Sequence, residues 1–184
     1  MTDSRKPPKS GRKAFKGMAP KGYVIRMMEP GEVPALLTVF KSARQSASGA
    51  KDAPDIHAFT RHLLAHEVFV AIDKTIGEPV GYAAAAAESD LYWLSELSVD
   101  PGAEDTDQLR GPLLKAVAER AHWFFYRALG HAIGADAYCD AAFYVNHGFV
   151  KIPEADLPAW LNEKRLSSAR DGDGESQVVM LKWL

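Results

Sequence analysis

Residues 91–101 read LYWLSELSVDP, and residues 108–130 read QLRGPLLKAVAERAHWFFYRALG. The first stretch is dense in leucine and aromatic side chains, which predicts a strand over Leu91–Val99. Asp100-Pro101 closes it, since proline has no N–H to give to a ladder. A polar loop, GAEDTDQ, is expected over Gly102–Gln108. In the second stretch Leu113, Leu114, Val117, Ala121, Phe124 and Phe125 recur at helical spacing. This predicts a long amphipathic helix, ended by Gly130.

Working outward, the chain alternates in the same way. Upstream, Tyr23–Met28 is a short β-rich run broken by Pro30-Gly31. Glu32–Arg44 has helical spacing, and Ser46–Pro54 is a loop. Asp55 is placed to cap a second helix carrying Ile56, Phe59, Leu63 and Leu64. Val68–Ile72 and Val80–Ala87, separated by the turn residues DKTIGEP, predict a hairpin. Downstream, a strand is expected over Ala132–Ala137, a short helix over Asp140–His147 and a strand over Phe149–Ile152. A helical turn or short helix over Leu157–Leu161, a flexible loop over Ser167–Ser176 and a last strand over Gln177–Leu184 complete the chain. A hairpin run followed by βαβ units predicts a mixed α/β sheet flanked by helices, not a bundle or a sandwich.

The 184 residues, 47% hydrophobic and 25% charged, fit one globular domain. The single cysteine, Cys139, excludes an intramolecular disulfide framework and a cysteine-rich zinc site. No apolar run approaches the roughly 18 residues of a membrane span. The basic N-terminus has no apolar h-region, so a cytoplasmic protein is expected.

The charge is unevenly distributed. Residues 1–22 hold seven basic residues against Asp3, a net of +6, so that residues 23–184 carry −8 of the chain's −2. This divides the chain into a disordered basic tail, 1–22, and a folded domain, 23–184. The tail is either an arm that contacts the phosphates of RNA, DNA or a nucleotide cofactor, or a solvated extension; its one aromatic residue, Phe15, makes no interleaved series for stacking.

Three segments in order carry a family resemblance. They are Glu96–Pro101 (ELSVDP), Gln108–Leu114 (QLRGPLL) and Ala141–Phe149 (AAFYVNHGF). Together the chain resembles the GNAT superfamily of acyl-CoA-dependent N-acyltransferases over residues 23–184. The third segment follows the family's A-x-x-F-Y-x-x-x-G-F signature through Phe143-Tyr144 and Gly148-Phe149. The resemblance implies a central, mixed, splayed β-sheet flanked by helices. It implies acetyl-CoA as co-substrate, no metal, an amine acceptor and direct transfer in a ternary complex.

By the same resemblance, main-chain groups of Leu97, Ser98 and Val99 bind the acyl-pantetheine arm beside a strand bulge. Exposed amides there would also stabilise a tetrahedral oxyanion. Gln108, Leu109, Arg110 and Gly111, entering a helix N-terminus, would hold the pyrophosphate. The family's loop reads Q/R-x-x-G-x-G/A. Taken from Gln108, the second glycine is missing; aligned through Leu113-Leu114, Arg110 replaces it. The loop is also long and holds Glu104, Asp105 and Asp107, which are unfavourable beside a diphosphate. Pro112 fits a first helical turn, and Arg110 offers a compensating charge. A binding or regulatory protein of the same fold, catalytically weakened, is the alternative.

Tyr144 takes the family's position for the acid that protonates the departing thiolate; the other reading is aromatic packing at a helix end. Glu96 takes a position where some members place a general base; the other reading is a salt-bridged sheet residue. Strict alternation puts Glu96 on one face with Leu94 and Ser98. His62 and His66 stand four apart on the second helix with His57 upstream, but HLLAH lacks the glutamate of H-E-x-x-H. His147 suits a helix C-terminus, and Cys139 reads as a small buried residue. Trp123, Phe124, Phe125 and Tyr126 cannot all face one core, which leaves some for a homodimer contact. No P-loop or G-x-G-x-x-G is present for a nucleotide-binding α/β protein.

Overall fold

The computed structural model describes residues 18–48, 54–103, 106–134, 138–168 and 177–184. The tail expected over residues 1–22 therefore lies outside the described residues up to residue 17. Residues 49–53, within the loop expected over Ser46–Pro54, and residues 104–105, 135–137 and 169–176 lie outside them as well.

Seven strands form one sheet: β1 (Tyr23–Met27), β2 (Glu67–Asp73), β3 (Pro79–Glu88), β4 (Leu91–Val99), β5 (Ala128–Gly134), β6 (Val150–Lys151) and β7 (Gln177–Trp183). Their order is β1-β2-β3-β4-β5-β7-β6. All neighbours are antiparallel except β4 and β5, which the long helix α3 (Thr106–Trp123) joins as a parallel crossover. The predicted hairpin is β2–β3, with Val68 opposite Ala84 and Phe69 opposite Ala83.

Period-two alternation assigns the faces. Phe69, Ala71, Ala83, Ala85 and Leu94 point to the side covered by α3, with Leu109, Leu113, Leu114 and Val117. Tyr144 and Phe149, in and just after α4 (Tyr138–Asn146), join that cluster. Val68, Val70, Tyr82 and Ala84 point to the other side, against α1 (Val33–Ser48) and α2 (Ile56–Leu64) through Leu36, Phe40, Phe59 and Leu63. Further along that side, Trp93 and Leu181 pack with Leu161 of α5 (Ala159–Ser168). Fully burying one such side chain stabilises the fold by about 1.5–3 kcal/mol. Asp55 caps α2 as expected, accepting from the His57 and Ala58 amides at 2.8 and 3.0 Å.

Several boundaries differ from the sequence expectation, each for a packing reason. The long helix starts at Thr106, inside the expected Gly102–Gln108 loop, because Leu109 is fully buried one turn before Leu113 and extends the apolar stripe. Pro112 consequently sits inside the helix, beyond its first turn. The helix ends at Trp123, not at Gly130, where Phe125 adopts a left-handed φ of 60°. Gly130 belongs to β5 instead, and a Cβ there would meet the Trp93 indole at 2.6 Å. The helical turn or short helix expected over Leu157–Leu161 is α5, which begins at Ala159 and runs on to Ser168. Its buried Arg165 bonds Asn162 within the helix (2.9 Å) and ties the helix to Glu154 (3.0 Å) and the Gln177 carbonyl (3.2 Å). Of the aromatic run, Tyr126 stacks on Tyr92 and Phe124 lies under Arg120, while Trp123 and Phe125 are 70% and 92% exposed.

Candidate active site

The site begins where two parallel strands part. The β4–β5 ladder runs from Leu91 opposite Ala128 to Leu94 opposite His131. β4 then continues to Val99 paired with β3, while β5 continues to Gly134 paired with β7. A wedge therefore opens along the edge of Ser95–Val99. Its cause is a bulge: Glu96 lies opposite Ala84 and Leu94 opposite Ala85, so Ser95 is the extra residue. An extra residue bends the strand and re-aims the side chains beyond it. The expected splay is thus present, with Leu97, Ser98 and Val99 along its β4 edge.

The bulge corrects the expected facing of Glu96. Leu94 points toward α3, but Glu96 and Ser98 stand opposite Ala84 and Tyr82 and share their face, toward α1 and α2. Ser98 is buried, and its hydroxyl donates to the Glu96 carboxylate at 2.7 Å.

Tyr144 stands at the apex of the wedge on the α3 side. It is 3% exposed, with ring centroids 4.7 Å from His131, 5.1 Å from Phe143 and 5.3 Å from Phe149. The His131 Nδ1 lies 2.7 Å from the Leu94 carbonyl oxygen.

The residues expected to hold a pyrophosphate are set differently. Gln108, Leu109, Arg110 and Gly111 all lie within α3, and the Leu109 side chain is fully buried. Past a helix's first turn the N–H groups are used internally. The N-terminal turn, whose N–H groups the helix does not use internally, is therefore residues 106–108, one turn before Gly111. The Arg110 guanidinium lies over the Phe143 ring at 4.2 Å, and Gly111 sits against His147, whose Nε2 a Cβ would meet at 3.1 Å. The helix thus docks on α4 at the mouth of the wedge. A cavity of about 700 Å³ extends from Gly111 and His147 past Lys115 toward Lys182.

A second cavity, of about 280 Å³, lies at the apex and is lined by His62, His66, Ser95, His131 and Lys164, among others. In sequence His62 and His66 stand four apart without the glutamate of a metal motif, as on a surface or substrate-side helix, and nothing connects either to Ser95. The rings of His62 and His66 lie 4.4 Å apart, and His66 Nε2 is 2.9 Å from the Ser95 hydroxyl. Lys164 pairs with Glu88 at the rim. Among the described residues no group of three histidines, cysteines or carboxylates is placed to hold a metal.

Behind the site, Glu67 on β2 accepts from Arg120 of α3 (Nε at 2.9 and 3.0 Å) and from the Tyr92 hydroxyl at 2.6 Å. The Arg120 hydrogen bond holds the Glu67 carboxyl below its ordinary range, against the opposing effect of burial. Burial first, and then the Glu67 acceptor, push the Tyr92 phenol well above its ordinary value. This network pins α3 across β2 and β4, the strands on either side of β3.

No family model and no curated protein matches the chain in sequence. Solved structures do match in fold. A GNAT-family acetyltransferase from Staphylococcus aureus Mu50 superposes with a TM-score of 0.67 at 18% identity, covering 88% of this chain and 99% of its own. A ribosomal-protein-alanine N-acetyltransferase from Brucella melitensis gives 0.64 at 19%, covering 87% and 99%. A phosphinothricin acetyltransferase from Sinorhizobium meliloti, solved with acetyl-CoA, gives 0.65 at 16%, covering 89% of each chain. The chain has the GNAT acetyltransferase fold. Among the described residues no helix is long and apolar enough to cross a membrane.

Proposed function

We propose that this chain is a cytoplasmic N-acetyltransferase that moves an acetyl group from acetyl-CoA to a primary amine by direct transfer in a ternary complex. The observation that carries the reading is the wedge between β4 and β5, opened by the Ser95 bulge. A strand edge without its ladder is suited to an extended, amide-bearing arm such as pantetheine. Main-chain groups of Leu97, Ser98 and Val99 grip that arm, and amides along the edge receive the oxyanion. The first turn of α3, with the Gln108 and Arg110 side chains, faces the diphosphate. The helical setting leaves no donor role to the main chain of Leu109 or Gly111. Tyr144 protonates the departing thiolate, a transfer for which a phenol and a thiol are well matched. Glu96 draws the proton from the amine, directly or through water. The basic residues of the N-terminal segment favour an acceptor carried on RNA.

A second reading, a binding or regulatory protein of the same fold, is favoured by one observation: the Q-x-x-G segment is helical and partly buried. Calorimetry with acetyl-CoA and CoA decides first. Saturable binding in the micromolar range, followed by amine-dependent thiol release, supports the transferase. Binding without turnover on any primary amine, or no binding at all, supports the second reading over the transferase.

A further inference from the structure

We propose that Ser95 and His66 form a nucleophile–base pair that takes an acyl group as an ester on Ser95 and passes it to water. The source of that acyl group in the cell, acetyl-CoA, rests on the reading above; the chemistry of the pair does not.

The geometry is specific. His66 lies just past the end of α2, and its Nδ1 is 2.6 Å from the carbonyl oxygen of His62. A carbonyl only accepts, so Nδ1 carries the proton. In the neutral ring Nε2 is then an acceptor, and its partner at 2.9 Å is the Ser95 hydroxyl. The hydroxyl proton therefore points at the base. The base is held in its tautomer and orientation by a third group, here the helix-end carbonyl. Nucleophile, base and orienting group are the parts that activate a serine.

The position fits the chemistry. Ser95 is the bulged residue, at the point where β4 leaves β5, and it lines the apex cavity together with His66. The strand edge beyond it offers main-chain amides beside the carbon to be attacked. A helix-capping histidine would need neither a serine at 2.9 Å nor a cavity at that serine.

In the first step the Ser95 Oγ bonds to the acyl carbon while its proton passes to His66 Nε2. The carbon–sulfur bond then breaks, and the thiolate takes that proton and leaves as a thiol. In the second step a water oxygen bonds to the ester carbon and gives its proton to Nε2. The carbon–Oγ bond breaks, the proton returns to Oγ, and a carboxylic acid leaves. The sum is hydrolysis of a thioester by water with no change of oxidation state. It proceeds when no amine occupies the cavity.

The test uses the full chain with p-nitrophenyl acetate and a fluorophosphonate, neither of which contains CoA. The expected result is an acetyl or phosphonyl adduct on the peptide containing Ser95, found by mass spectrometry. Labelling should fall about 100-fold or more in Ser95→Ala and in His66→Gln. If Ser95→Ala does not fold, His66→Gln alone decides, because it leaves the serine in place. An unmodified Ser95, an adduct on another residue, or labelling that survives His66→Gln overturns the proposal. Failure to bind acetyl-CoA would remove the transferase reading and leave this result standing; micromolar acetyl-CoA binding with an unlabelled Ser95 would do the reverse.

Discussion

The Nδ1 of His131 lies 2.7 Å from the carbonyl oxygen of Leu94, and these two residues are also the last rung of the β4–β5 ladder. The side chain thus caps the carbonyl at the point where the strands part. His131 also touches Tyr144, and it lines the apex cavity with Ser95. His131→Ala removes one hydrogen bond of about 1 kcal/mol. For a chain of this length that lowers the melting temperature by about 2–4 °C, which calorimetric scanning checks. Acetyl-CoA binding should weaken as well, since the apex loses its fixed edge.

Tyr144→Phe keeps the ring that packs between His131 and Phe149 and removes only the hydroxyl. The acetyl-CoA dissociation constant should stay within about twofold while turnover falls about 100-fold, the contribution of one general acid. Equal turnover in the variant would leave Tyr144 a packing residue only.

Gly130→Ala tests how tightly β5 is built against β4. The new Cβ would lie 2.6 Å from Trp93 Cε3 and 3.2 Å from Leu181 Cδ2. Overpacking of this kind costs about 1–3 kcal/mol. Because Trp93 lines the apex cavity, the variant should lose acetyl transfer in proportion to its loss of order there. Denaturant unfolding checks the stability loss.

The Glu67–Arg120 pair carries a pH signature. Its carboxyl sits below the ordinary value of 4.5 in the folded protein, chiefly through the Arg120 hydrogen bond. A lowered folded value means the stabilisation is complete above pH 4.5 and is lost as pH falls through the lowered value. Arg120→Met should therefore cost about 1 kcal/mol near neutrality, discounted for the partial exposure of the pair. The gap to the parent protein should narrow below pH 4.5. Melting curves from about pH 3 to about pH 7, which span the ordinary carboxylate range, show this narrowing.

Most elements are legible because their apolar residues repeat at one period. The hairpin and the capped helix at Asp55 follow from local chemistry alone. The Ser95 bulge is not legible from alternation. In LYWLSELSV the residues before the bulge are apolar on both faces, so an inserted serine leaves no break in the pattern, and strict alternation assigns Glu96 to the wrong face. The start of α3 is hidden because its polar first turn, residues 106–108, reads as loop until Leu109 is recognised as buried. The pairing of His66 with Ser95 joins residues 29 apart in sequence and depends on the bulge, so no spacing rule could have shown it.

In the proposed transferase, the wedge between β4 and β5 is the seat of the thioester arm. Titration of the isotope-labelled protein with acetyl-CoA, followed through backbone amide resonances, tests this directly. The predicted result is a saturable shift centred on Ser95–Val99 and on residues 132–134 of β5, with smaller changes at the first turn of α3. Saturable binding that leaves the Ser95–Val99 amides unmoved, or no binding at millimolar acetyl-CoA, a level at which even weak sites of about −4 kcal/mol fill, would contradict it.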